Sequence, residues 1–112
     1  MIRKIALLPL LLLLTACASL GLAPPATVSE RLAYAYSNHT AVLEATTHAL
    51  DMHDITSEDA QRILVIADQS RQALDAAKLA INAGDPQTAE GRLQLATAIL
   101  TELQSYLRRK SQ

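Results

Sequence analysis

An all-α fold, specifically an antiparallel up-down-up three-helix bundle, is what this sequence predicts, and three observations carry the prediction. From Ser29 onward the chain is rich in Ala, Leu, Gln and Glu and holds two Gly and one Pro. That is a composition of helix formers, without the β-branched and aromatic runs of strands. Three successive stretches repeat apolar residues at alternating spacings of three and four, the pattern of one helix face. The connections between them span only a few residues, which makes consecutive helices antiparallel neighbours. At 112 residues the chain holds one small domain, since a second needs roughly another hundred.

The first helix is expected from about Ser29 to His53. Val28, Leu32, Ala35, His39, Val42, Thr46 and Ala49 form its buried stripe, Leu43 and Leu50 widen it, and Ser29 ahead of Glu30 and Arg31 is the expected N-cap. The second helix opens at Thr56-Ser57-Glu58-Asp59, a hydroxyl cap followed by carboxylates that suit the positive end of the helix dipole. Its stripe is Ala60, Ile63, Ala67, Ser70, Leu74, Ala77 and Ile81. Asn82-Ala83-Gly84 stops it, Gly84 taking the left-handed conformation past the helix end. Asp85 caps the third helix and Pro86 occupies its first position, where a missing N–H costs nothing. The third stripe is Ala89, Leu93, Ala96, Leu100, Leu103 and Leu107, and Arg108, Arg109 and Lys110 complement the negative helix end. A longer helical hairpin that completes its core by dimerising is the competing architecture. Gly84-Asp85-Pro86 is similar to the turns of tetratricopeptide arrays, but no fixed period runs through the chain, which excludes an array.

The N-terminus reads differently. Arg3 and Lys4 precede an apolar run from Ile5 to Leu14 broken only by Pro9, the arrangement of a secretory signal. The run is too short to cross a bilayer, which needs about 20 residues. It ends in Leu14-Thr15-Ala16-Cys17, which holds the only Cys of the chain. This tetrapeptide resembles a bacterial lipobox, with small residues ahead of the Cys. The resemblance implies cleavage between Ala16 and Cys17, a diacylglycerol on the Cys17 thiol, and a further acyl chain such as palmitate on the freed amine. Two or more chains hold firmly where one anchors marginally. Ala18 and Ser19 follow, with no Asp beside the Cys. By similarity to the sorting pattern of Gram-negative lipoproteins, this implies the outer membrane, facing the periplasm. Ala18 to Thr27 carry Gly21, Pro24 and Pro25 and no charge, a tether semi-rigid around its Pro pair. Its ten residues reach at most about 33–36 Å. The expected organisation is thus a signal peptide over 1–16, lipidated Cys and tether over 17–28, and the bundle over 29–112.

Taken whole, the chain resembles a small bacterial lipoprotein. Its Ser57-Glu58-Asp59-Ala60-Gln61 opening and Gly84-Asp85-Pro86 turn are similar to those of short helical lipoproteins of prophage gene clusters, a resemblance that carries no activity with it.

Charge and motifs narrow the function class. A formal net charge of −1 provides no electrostatic footprint for nucleic acid, and loss of Arg3 and Lys4 makes the remainder more acidic. His39 and His53 share a face fourteen residues apart, about 21 Å along a helix, too far for one metal. His48, Asp51, His53 and Asp54 crowd one helix end without a zinc-type spacing and read as a solvated turn. His39, on the apolar stripe, is expected to be half-buried and hydrogen-bonded. Ser37, Ser57, Ser70 and Ser105 lack a nucleophile-elbow context, and Thr46 and Ser70 are expected to bond back to their own helices. Asn38-His39-Thr40 is a chance match to a glycosylation acceptor. Neither catalysis nor a cofactor is expected. Tyr36 and Tyr106 are assigned to core filling and Tyr34 to a partner contact. The expected partners are membrane lipid through acylated Cys17, another envelope protein, and a second copy of the chain. The function expected is a non-catalytic envelope interaction module. The competing reading is a phage-derived lysis factor of spanin type or a superinfection-exclusion lipoprotein.

Overall fold

The computed structural model describes residues 27–112, which form α1 (Val28–Asp51), α2 (Ser57–Asn82) and α3 (Pro86–Lys110). The expected signal, the expected Ala16–Cys17 cleavage and lipidation site, and the expected tether up to residue 26 lie outside the described residues. Each helix packs against both others, α2 on α3 most extensively. At 24, 26 and 25 residues the helices are about 36–39 Å long. Val28 lies beside Ile81, Gly84 and Pro86 at one pole, and His48 and Asp54 beside Arg108 and Ser111 at the other. The three helices therefore run up, down and up, as a bundle.

The stripes are buried as the periodicity requires. Of the residues expected inside, Val28 and Ile81 at the helix ends and Leu43 and Leu50 beside the first stripe are only partly covered, and Ile55, Ala73 and Ala80 are buried in addition. Ala73 belongs to the core region that holds Leu93 and Ala96 of α3, and a small side chain there and at Ala80 lets helices approach until even the flank of the stripe is covered. The apolar core has two parts. One gathers Val42, Ile55, Ile63, Leu100, Leu103 and Leu107 with intervening alanines. The other gathers Leu32, Leu74 and Leu93 with Ala35, Ala73, Ala77 and Ala96. Between them in sequence register stand His39 on α1 and Ser70 on α2, both buried. Ser70 Oγ donates to the Ala67 carbonyl at 2.6 Å and Thr46 Oγ1 to Val42 at 2.7 Å, so both hydroxyls do bond back to their own helices. His39 departs from expectation. It is 6% exposed rather than half-buried, and among the described residues no side chain or backbone group hydrogen-bonds its ring. Its neighbours along the stripe, Ala35 and Val42, are apolar, and no fully buried side-chain N or O among the described residues lacks a partner, so its ring nitrogens keep contact with solvent.

The first helix is capped by Thr27 rather than Ser29. Thr27 is extended and its hydroxyl accepts from the Glu30 N–H at 3.1 Å, which leaves Ser29 within the first turn. The helix also stops at Asp51, short of His53. Thr56 and Asp59 cap α2 reciprocally, each side chain bonding the other's backbone N–H. Asp85 caps α3 ahead of Pro86, accepting from the Thr88 N–H at 3.2 Å.

The two turns share one geometry. After α2, the Asp85 N–H bonds the Ala80 carbonyl and the Gly84 N–H bonds Ile81. After α1, Asp54 bonds Ala49 and His53 bonds Leu50 in the same register. Both are Schellman endings, which place the residue past the C-cap in the left-handed region. Gly84 has φ +73 there, but His53 occupies the equivalent place at φ 60, a conformation costly for a residue with a Cβ. Replacing His53 by Gly is therefore expected to raise stability by about 0.5–1 kcal/mol, and Gly84→Ala to lower it by about 1–2 kcal/mol. Urea unfolding followed by circular dichroism checks both signs. In the same assay Leu74→Ala, which empties a fully buried site, is expected to cost about 2–5 kcal/mol. Leu79→Ala, at 70% exposure, should change stability by less than about 0.5 kcal/mol.

Candidate functional site

The bundle surface offers contacts of two kinds, polar clasps between helices and open grooves along them. The clasps lie toward the Val28 pole. Tyr36 on α1 packs its ring on the core and donates its hydroxyl to Asp75 Oδ1 on α2 at 2.6 Å. Arg71 donates to the same carboxylate oxygen at 3.2 Å and sits 5.0 Å over the Tyr36 ring. Tyr36 thus fills core space as expected, and also ties two helices together. Burial, then the hydrogen bond to Asp75, pushes the phenol up to about 12, while the hydrogen bond from Tyr36 and then that from Arg71 hold the Asp75 carboxyl below its ordinary range. On the other side of α1, Arg31 pairs with Glu90 of α3 across 2.5 Å, which lowers the Glu90 carboxyl.

Two of the grooves follow the α1–α3 seam, where polar side chains stand among alanines and the edges of core residues such as Leu93 and Leu107. Tyr34, 64% exposed, stands on one of about 500 Å³ with Asn38, Gln94 and Thr97, an accessible position for the contact expected of it. The other, about 440 Å³, brings His48, Asp54, Gln104 and Arg108 together. A different surface follows the α2–α3 seam near the Thr56 end. Ile66, Ile99, Tyr106, Arg62, Glu102 and Arg109 line a groove of about 590 Å³ there. Leu95, one helical turn before Ile99 on α3, and Val65, beside Ile66 on α2, are exposed apolar residues at 49% and 61%. Asp59 is paired with Arg62 at 2.6 Å, and the guanidinium of Arg109 lies 6.0 Å over the Tyr106 ring.

This apolar groove was not anticipated from the core stripes. Its signal is nonetheless written beside the third stripe: Arg92, Leu95, Ile99, Glu102, Tyr106 and Arg109 recur at the same alternating spacings of three and four, one position out of phase. Among the described residues no three His, Cys, Asp or Glu side chains are grouped closely enough to hold a metal ion, and no helix is long and apolar enough to cross a membrane. Comparison with known protein families, curated proteins and solved structures finds no match for this chain.

The clasps make two pH predictions. Because the Tyr36 phenol is raised above its ordinary 10.0, its contribution is intact below pH 10 and fades as pH rises through about 12. Phenolate absorbance should therefore show one of the three tyrosines ionising late. Tyr36→Phe should remove that step, and Asp75→Asn should bring it to lower pH. At the acid end, Asp59, Asp75, Asp85 and Glu90 are all lowered by their hydrogen bonds. Their support is present above the ordinary carboxylate range, about 4, and is lost as pH falls below it, so the thermal midpoint should decline progressively in acid.

Proposed function

We propose that this protein is a lipid-anchored, non-catalytic helical module of the bacterial envelope, held at the outer membrane and facing the periplasm. Leu14-Thr15-Ala16-Cys17 carries the proposal: the sole cysteine stands where a lipobox requires it, at the end of a basic-then-apolar leader. Cleavage before Cys17 and acylation of its thiol and amine supply the anchor. The bundle starts at Val28, so a tether of about ten residues holds it within about 36 Å of the bilayer. The module then acts through its helix surfaces, and the groove beside Tyr34 is the expected contact for an envelope protein.

The test is metabolic labelling with an alkyne analogue of palmitate in a Gram-negative host, with Cys17→Ala alongside, followed by fractionation and cross-linking. The expected result is label on the wild type and none on the variant, sedimentation with outer membranes, and an envelope protein whose cross-link requires Cys17. An unlabelled wild-type chain would sink the anchoring reading. If expression of the labelled protein lyses cells or blocks phage entry, the phage-derived reading replaces the passive module.

A further inference from the structure

The α2–α3 groove is lined by the large apolar side chains of Ile66, Ile99 and Tyr106, and its α3 residues continue an ordered stripe along that helix. In one direction along the helix the stripe reads Arg92, Leu95, Ile99, Glu102, Tyr106. Laid antiparallel on itself about the level of Thr97, it becomes self-complementary. Leu95 meets Ile99, Arg92 meets Glu102, and each of these contacts occurs twice, as a two-fold axis demands. Neither Arg92 nor Glu102 has an ion-pair partner among the described residues.

A second observation points the same way. Gly91 stands inside α3, where glycine costs about 0.5–1 kcal/mol relative to Ala. Nothing among the described residues requires it: a Cβ there would meet no described atom within 4 Å, and its φ is not in the left-handed region. In the antiparallel arrangement the partner's Tyr106 stands opposite Thr88, three residues or about 4.5 Å from Gly91; its side chain leans back toward the partner's N-terminus, so a position without a side chain gives its ring room to lie against the α3 backbone.

We propose that the α2–α3 face is the interface of an antiparallel homodimer, its two-fold axis crossing α3 near Thr97, with the Leu95 side chain of each copy seated in the groove between Ile66 and Ile99 of the other. The reciprocal Arg92–Glu102 pairs set register and exclude the parallel alternative, which would bring like charges together. The interface does not depend on the anchoring reading. One consequence does: the axis puts the two Val28 poles at opposite ends, so both tethers reach one bilayer only if the helices lie along its surface.

The experiment is sedimentation equilibrium of the full chain in density-matched detergent, with helicity checked by circular dichroism. Wild type and Cys17→Ala should both contain two copies per particle, which separates this interface from association through acyl chains. Glu102→Arg and Arg92→Glu should each weaken the dimer at least about tenfold, and the double exchange should restore it. Gly91→Leu should abolish the dimer while leaving the helices intact or more stable, a combination that damaged folding does not produce. A single-copy wild type would overturn the proposal and leave the groove to a foreign helix. A dimer that survives both Gly91→Leu and the single reversals, or disappears in Cys17→Ala, would overturn it equally.

Discussion

The close approach of α2 and α3 along an alanine-rich seam is the constraint on which the rest of this structure depends. Ala60, Ala67, Ala73, Ala77, Ala80, Ala89 and Ala96 are all buried, and they alternate with Leu, Ile or Ser along the stripes. Without Trp or Phe anywhere in the chain, no large ring holds the helices apart, so filling the interior requires short interaxial distances. Close packing of that kind preserves dispersion contacts that a small void would forfeit. It also demands compact turns, because a long loop cannot hold two helices in register at so short a spacing.

The two Schellman turns meet that demand and explain an otherwise costly feature. A left-handed residue is needed at each, and glycine supplies only one of them. His53 accepts the strain because its turn must deliver Ile55 into the core, where that side chain is 5% exposed, before Thr56 opens the next helix.

The two poles of the bundle differ in how they are fastened. Near Val28, Tyr36–Asp75 and Arg31–Glu90 fasten α1 to both of its neighbours. Toward the Thr56 end, the ion pair found is within one helix, between Asp59 and Arg62, and larger side chains there leave an apolar groove open between α2 and α3. The fastened half lies at the N-terminal end of α1, while the open groove lies toward the other pole. Buried His39 on α1 and Ser70 on α2 fall in sequence between the residues of the two core regions.

Much of this was legible in the residues. Three helices, their order, the stripe on each, Thr56 and Asp85 as caps and Gly84 as a stop all follow from spacing and local chemistry, because helix periodicity and capping act over four residues or fewer. Thr27 was legible too, through the Glu30 three residues later, but the nearer hydroxyl of Ser29 offered a competing reading. The left-handed His53 was not, since nothing in its side chain favours that conformation and the turn's hydrogen bonds impose it. The sequence by itself determined the fold class, the element boundaries to within a residue or two, and which residues turn inward. Only the tertiary structure decided that Tyr36 clasps Asp75, that Arg31 reaches Glu90, that Ala73 and Ala80 are buried, and that Ile66, Ile99 and Tyr106 share an open groove. Those outcomes depend on the rotation and distance of one helix against another, which the packing of the whole seam sets and no local pattern encodes.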